Sequence, residues 1–321
     1  MWQAKRSKRT IASRVQCVVE SLESRRLLSG DAIGLTGDNM LVSIKSGSPE
    51  KTQGGTAIMG LAAGEEVVGI DYRAANGQLY GLVDGAGTDR IILIDAKTGA
   101  STPVFSLTTQ LVGDEFGVDF NPVADALRIT SDADQNLRVP FASGATIVDG
   151  ALAYGAADAN AGDNPNVVGS AYTNSFPGTT TTQLFNIDSG QDVQVLQSPP
   201  NAGTLSTIGS LGVNTDAPVG FDIRAADSAA NYEGEALASL TLTSDATSDV
   251  GSRLYSINLA TGAATEIGTV GSEQKGYITL RGLTLVPADA QNNNRGGLGA
   301  VSGNRPDSAE EDDEEDGDEV I

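Results

Sequence analysis

The chain of 321 residues contains no histidine and a single cysteine, Cys17. Without imidazole there is no Ser-His-Asp or Cys-His nucleophile pair, no imidazole metal ligand, and no side chain whose ordinary pKa makes it a base near neutral pH. One thiol cannot form an intrachain disulfide, so no covalent framework holds the fold. Basic residues are scarce, 20 Lys and Arg against 42 Asp and Glu, which leaves a formal net charge of −22. An acidic surface repels phosphate backbones, so nucleic acid is not an expected partner. No apolar run reaches the roughly 18 residues that would cross a bilayer as a helix, so no transmembrane segment is expected. Aromatic residues make up only 5% of the chain.

What is abundant is glycine, at 39 residues. That composition suits many short strands joined by tight turns better than long helices. The charge is unevenly spread. Residues 1–30 hold seven bases and two acids, residues 31–287 hold 11 bases and 29 acids, and residues 288–321 are polar and then strongly acidic. The last segment has too few apolar groups to form a core, and is expected to be a disordered acidic tail.

The first segment opens with Lys5, Arg6, Lys8 and Arg9 but lacks the apolar stretch of an ordinary secretory signal. Its end, LESRRLLSG at 22–30, resembles the LEPR-x-LL leader of exported bacterial proteins, with Ser24 where that motif has proline. The resemblance implies export, and with it an extracellular or cell-surface location. The chain thus divides into an export leader at 1–30, a folded body at 31–287 and a tail at 288–321.

The body repeats itself. DRIILIDAKTGASTPV at 89–104 returns as RLYSINLATGAATEIG at 253–268. An apolar strand, a Ser/Thr-Gly turn and a second strand occur five times, with glycines at Gly47, Gly99, Gly144, Gly190 and Gly262. Glycine accepts the positive φ that short hairpin loops need, so each turn predicts a hairpin. A second signal precedes the turn: Gly, an apolar residue, Asp, then an apolar or aromatic residue, in VVGIDY, FGVDF and VGFDI. Together they give a unit of four strands, the size of one propeller blade.

The first unit lacks an opening strand, and GYITLRGLTLVP at 276–287 is an opening strand with nothing after it. Pairing the two would close a ring and remove two open edges. The expected fold is therefore an all-β propeller of about five four-stranded blades closed by N- and C-terminal strands. A sixth blade stays open, because the third unit has Ala171 in place of Asp and extra strand-like text on both sides, and the fourth carries an apparent insertion from Asp227 to Gly251. A two-sheet β-sandwich is the alternative, although a sandwich has no need of five copies of one turn.

GIDYRAANGQLYGL, FGVDFNPVADALRITSDADQNLRV and RLYSINLATGAATEIG, in that order, resemble the bacterial secreted-protein family DUF4394, over roughly residues 60–285. The resemblance implies export and supports the repeat fold. It implies no chemistry.

Three groups of oxygen-bearing residues are candidates for a site. Asp71, Asp119 and Asp222 hold equivalent places in opening strands. They read either as a partial ring of carboxylates around a cation or as acceptors for backbone at blade junctions, and repetition favours the second. Asp132, Asp134 and Asn136 alternate as the first ligands of a Ca2+ loop do. Leu137 and Ser143 stand where an EF-hand needs Gly and Glu, which leaves a looser Ca2+ turn or an ordinary Asp/Asn hairpin. Asp158, Asp163 and Asn164 lie in a long loop, YGAADANAGDNPN. No carboxylate pair is singled out by spacing, and Tyr72, Tyr80, Tyr172 and Tyr255 fall within repeats, as packing residues would. The expected role is a binding or surface scaffold module for a protein or glycan ligand, with Ca2+ as a candidate cofactor. A carboxylate-dependent polysaccharide hydrolase or lyase is the alternative.

Overall fold

A computed structural model describes residues 31–85, 87–224, 235–243 and 251–287. Residues 1–30, expected to be an export leader, and residues 288–321, expected to be a disordered acidic tail, lie outside the described residues. Five sheets form a five-bladed β-propeller, and no α-helix occurs among the described residues. The first blade comprises Glu66–Arg73, Gln78–Asp84, Arg90–Ile94 and Ser101–Ser106, in that order from the axis outward. The second comprises Phe116–Asn121, Ala126–Ser131, Asn136–Pro140 and Ile147–Val148. The fourth comprises Thr215–Ile223, Ala236–Leu242, Arg253–Ile257 and Ala264–Thr269.

The composite blade joins the two ends of the body. Leu280–Leu285 forms its inner strand and pairs antiparallel with Ala32–Thr36, followed outward by Met40–Ile44 and Thr56–Ala57. Each inner strand packs on the inner strand of the next blade all the way round. The ring is closed as the complementary half-units require.

The third blade settles the blade count. Val167–Tyr172, Leu184–Asp188, Val193–Gln197 and Thr204–Ser210 make its four antiparallel strands, and Ala153–Tyr154 adds a short fifth strand parallel to the outermost one. The strand-like text before unit three thus thickens the blade and the text after it supplies the ordinary fourth strand, so neither builds a sixth blade. Part of the apparent insertion in unit four, Ala236–Leu242, is that blade's ordinary second strand.

The duplicated hairpins fold alike because their turns are locally satisfied. Asp95 Oδ1 accepts the backbone N–H groups of Lys97 and Thr98, and Asn258 Oδ1 accepts those of Ala260 and Thr261. The glycine that follows has φ of +74° at Gly99 and +80° at Gly262. Gly47 and Gly190 are not in the left-handed region; in the third blade Asp192, at φ +53°, takes it instead. The turn signal therefore located five hairpins but overstated how uniform their backbones are.

Burial follows the blade interfaces. Tyr80, Phe120 and Phe141 meet edge to face between the first and second blades, with centroids 4.9–5.4 Å apart. Val168, Ala171, Phe185, Val219, Phe221 and Tyr255 fill the space between the third and fourth. Of the four repeat tyrosines, Tyr80, Tyr172 and Tyr255 are buried and Tyr72 is half-buried.

Candidate functional site

Residues two apart on a strand share a face. Each inner strand therefore presents a pair to the axis: Gly69 and Asp71, Gly117 and Asp119, Gly169 and Ala171, Gly220 and Asp222, Gly282 and Thr284. The glycines let neighbouring blades approach. A Cβ on Gly220 would lie 2.5 Å from the backbone nitrogen of Leu283, and one on Gly69 would lie 2.4 Å from Val118 Cγ2. The glycine level of the axis borders a half-open void of about 10 Å³, close to the least volume that holds one water.

At the next level the carboxylates of Asp71, Asp119 and Asp222 converge. Each offers an oxygen within 4.8 Å of the others, and all three residues are buried. Their hydrogen bonds follow one rule. The N–H just after the ring position in one blade is accepted by the Asp of the preceding blade: Phe120 N–H by Asp71 Oδ2 at 2.8 Å, Tyr172 N–H by Asp119, and Leu285 N–H by Asp222 Oδ2 at 2.6 Å. Where the preceding ring residue is Ala171 or Thr284, the blade's own Asp turns back. Asp222 Oδ1 accepts Ile223 N–H, and Asp71 Oδ1 accepts Tyr72 N–H at 2.7 Å. The carboxylates thus tie blade junctions and also form a partial ring.

Thr284 completes the ring. Its hydroxyl lies 2.9 Å from Asp71 Oδ1 and 3.1 Å from Asp222 Oδ2. One hydroxyl has one proton to donate, so it serves one carboxylate at a time. Thr284 was not singled out in the sequence, although Gly282-Leu283-Thr284 has the same offset as the Gly-x-Asp strands.

Burial pushes all three carboxyls upward. Asp71 is raised well above the usual range by burial and then by Asp222, against hydrogen bonds from Phe120, Thr284 and Tyr72. Asp119 is raised well above it by burial, Asp71 and Asp222, with only the Tyr172 bond opposing. Asp222 is raised by burial, opposed by Leu285, Ile223, Thr284 and the Arg224 charge. Three buried carboxylates this close do not all ionise unaided; protons or a cation must neutralise them.

The other candidates fall elsewhere. Asp132 Oδ1 accepts Asp114 N–H at 3.0 Å. Asp134, at φ +60°, has a buried Oδ1 with no hydrogen-bond partner. Its carboxyl is raised by burial and then by Asp188 and Asp132. Asn136 is buried and turns its oxygen to Arg128 Nη1 at 2.7 Å and Gln197 Nε2 at 3.3 Å. Asp158 accepts the backbone N–H and hydroxyl of Thr207 and the N–H of Asn160. Burial pulls its carboxyl up, yet these bonds outweigh it and hold the pKa below the usual value. Asp158 thus ties its loop to the third blade.

A family model described as a domain of unknown function, DUF4394, matches residues 40–284, a span that takes in all three axial carboxylates and Thr284. The chain belongs to the DUF4394 family. No curated protein matches it. Among solved structures, it is similar to a chain of a nidogen–laminin complex at 12% identity and a TM-score of 0.43, covering 79% of this chain and 97% of that one. A Bacteroides thetaiotaomicron protein of unknown function gives 12% identity, a TM-score of 0.47 and coverage of 79% and 64%. A Lactobacillus plantarum protein gives 13%, 0.39, and coverage of 76% and 68%. Likenesses at this level carry no argument about what this chain binds.

A cleft of about 300 Å³ lies between the second and third blades, lined among others by Asn121, Arg128, Arg138, Tyr172, Pro199 and Asn201. Arg128 is buried and fixed by donating to Asn136, Asp149, Asn201 and the Tyr172 hydroxyl. Arg138 bonds Asp149 through Nε at 3.0 and 3.1 Å, while its two terminal nitrogens have no protein partner among the described residues. Two guanidiniums thus share one carboxylate, leaving local positive charge on an otherwise acidic body. Nothing in the sequence marked this cleft, because its lining comes from two blades.

Proposed function

We propose that the protein is an exported propeller that acts as a binding or surface scaffold module, with the cleft between the second and third blades as its ligand seat. The observation that carries this reading is Arg138. Its guanidinium is anchored at one edge by Asp149 and open at the other, which is the planar fork that takes a carboxylate. The ligand class is a polar, carboxylate-bearing group, as on an acidic glycan. A bound cation assists the scaffold; its two candidate seats are the axis and the Asp132, Asp134 and Asn136 hairpin.

Binding to an array of uronate-bearing oligosaccharides tests the reading. Retention without release of reducing ends, weakened by Arg138→Ala, supports it. No retention, or retention unchanged in Arg138→Ala, removes the cleft as the seat. Release of reducing ends would instead support a polysaccharide hydrolase or lyase. Export has its own test: the mature chain should be found outside the cytoplasm, beginning near Asp31, and a full-length cytoplasmic product ends that part of the reading.

A further inference from the structure

Five backbone N–H groups follow the ring positions, on Tyr72, Phe120, Tyr172, Ile223 and Leu285. Four are accepted by Asp71 or Asp222 at 2.5–2.8 Å, and the fifth, Tyr172, is turned toward Asp119. Three carboxylates offer six oxygens. The oxygen left over is Asp119 Oδ1, which is buried and has no hydrogen-bond partner. Asp119 itself is 1% exposed. Buried polar atoms are rarely left unpaired, and a buried anionic oxygen is the costliest kind. Closing the ring therefore does not explain why the second blade carries a carboxylate with an oxygen to spare. Something that accepts electron pairs from oxygen does.

We infer that Asp71, Asp119 and Asp222, with the Thr284 hydroxyl, form the site of a single Ca2+ ion on the propeller axis. The donors are all hard oxygens, the set that suits Ca2+ or Mg2+ and not the softer transition metals. Coordination flexibility favours the larger ion. The three oxygens lie within 4.8 Å of one another, close enough to share one ion. Ca2+ accepts irregular sets of roughly six to eight oxygens, whereas Mg2+ demands a near-ideal octahedron and gives up its water reluctantly. The second oxygens of the carboxylates and a water at the glycine level would add to the shell. Blade symmetry is broken in the right way for one ion: Ala171 supplies no oxygen, and Thr284 supplies a neutral one, which keeps the charge at three carboxylates. The site is independent of the cleft, so failure of either leaves the other standing.

The test is thermal melting and calorimetric titration of the full chain at neutral pH after chelation, with Ca2+ or Mg2+ added. The acidic tail attracts both ions diffusely and is the same in every variant. Ca2+ in hundredfold excess over its Kd should raise the melting temperature by about 5–10 °C, and Mg2+ should raise it less. Asp119→Asn should abolish the difference and weaken Ca2+ binding by at least the roughly tenfold that outer-shell partners of a metal site contribute. This variant should fold, since its amide keeps an oxygen for Tyr172 N–H and removes one of three repelling charges. Asp134→Asn should keep the shift. No shift in the parent, an equal shift from Mg2+, or a shift that survives in Asp119→Asn overturns the axial site. A shift lost in Asp134→Asn and kept in Asp119→Asn moves the ion to the Asp132, Asp134 and Asn136 hairpin.

Discussion

The junction between the first and second blades and that between the third and fourth meet the same geometric demand with different chemistry. At the first, Asp71 reaches across to Phe120 N–H, and Tyr80, Phe120 and Phe141 pack edge to face outside it. Arg73 lies over the Phe141 ring, 4.6 Å from its centre, and pairs with Asp125 of the second blade. At the second, Ala171 has no oxygen to offer. Asp222 satisfies its own neighbour, Ile223, and Val168, Phe185, Val219, Phe221 and Tyr255 close the gap. A buried carboxylate fixes the register of a junction but carries a desolvation cost. An apolar junction carries no such cost and depends on fit alone. The propeller uses carboxylates where their oxygens converge on the axis and apolar contact where they would crowd it.

Removing the composite blade's inner strand breaks both kinds of junction at once. Deleting residues 276–287 takes Leu280, Leu283 and Leu285 out of the core. Each buried side chain of this kind contributes roughly 1.5–3 kcal/mol, so a loss of about 5 kcal/mol or more is expected in chemical denaturation. A deletion variant as stable as the parent would refute ring closure.

Phe221→Ala probes the apolar junction by itself. Phe221 is 4% exposed, and truncating a buried Phe costs about 3–5 kcal/mol. A loss below about 1 kcal/mol would show that the third and fourth blades are held by something other than this packing.

Thr284→Val, nearly isosteric, tests the polar side. Without its hydroxyl, Asp71 and Asp222 face each other with no shared donor. Measured in chelator, the loss should be about 1–2 kcal/mol, less than for Phe221→Ala. If the valine variant is the less stable of the two, the ranking of the junctions is reversed.

The smallest effect concerns Glu115, just before the second blade's inner strand. Burial raises its pKa from 4.5 to about 7, with Asp132, Asp114 and Glu66 adding to the shift and Arg281 opposing it. The folded state then holds a proton that the unfolded state has released between about pH 4.5 and 7. Its stabilising contribution is full below that window and is lost as pH rises through 7. Glu115→Gln should flatten this part of the melting-temperature profile by a few degrees. An unchanged slope between pH 5 and 7.5 would assign the pH dependence to other groups.

The outer hairpins were the most legible elements, and the reason is local. Asp95 and Asn258 each cap their own turn within three residues, and the glycine that follows sits at positive φ. Such a turn is decided by residues that are close together along the chain. The composite blade was legible for a related reason: an opening strand without a partner and a unit without an opening strand leave only one economical pairing. The fifth strand of the third blade was less legible because Ala153–Tyr154 is too short to show a period. Ala236–Leu242 looks like insertion in the sequence because the residues before it interrupt the usual spacing.

The candidate sites divide in the same way. The sequence alone determined that Asp71, Asp119 and Asp222 are equivalent, because a strand's alternation assigns each the same face. It could not determine that their oxygens meet, that Thr284 stands between two of them, or that Asp119 alone keeps an oxygen unpaired. Those facts depend on which blade follows which around a closed ring, and on a neighbour, Ala171, that offers nothing. The Arg128 and Arg138 cleft is still further from the text, since its walls come from separate blades and acquire their charge balance only through the shared Asp149. Strand and turn are decided by neighbours along the chain, whereas hydrogen-bond satisfaction and charge state are decided by neighbours in space, and only the tertiary structure supplies those.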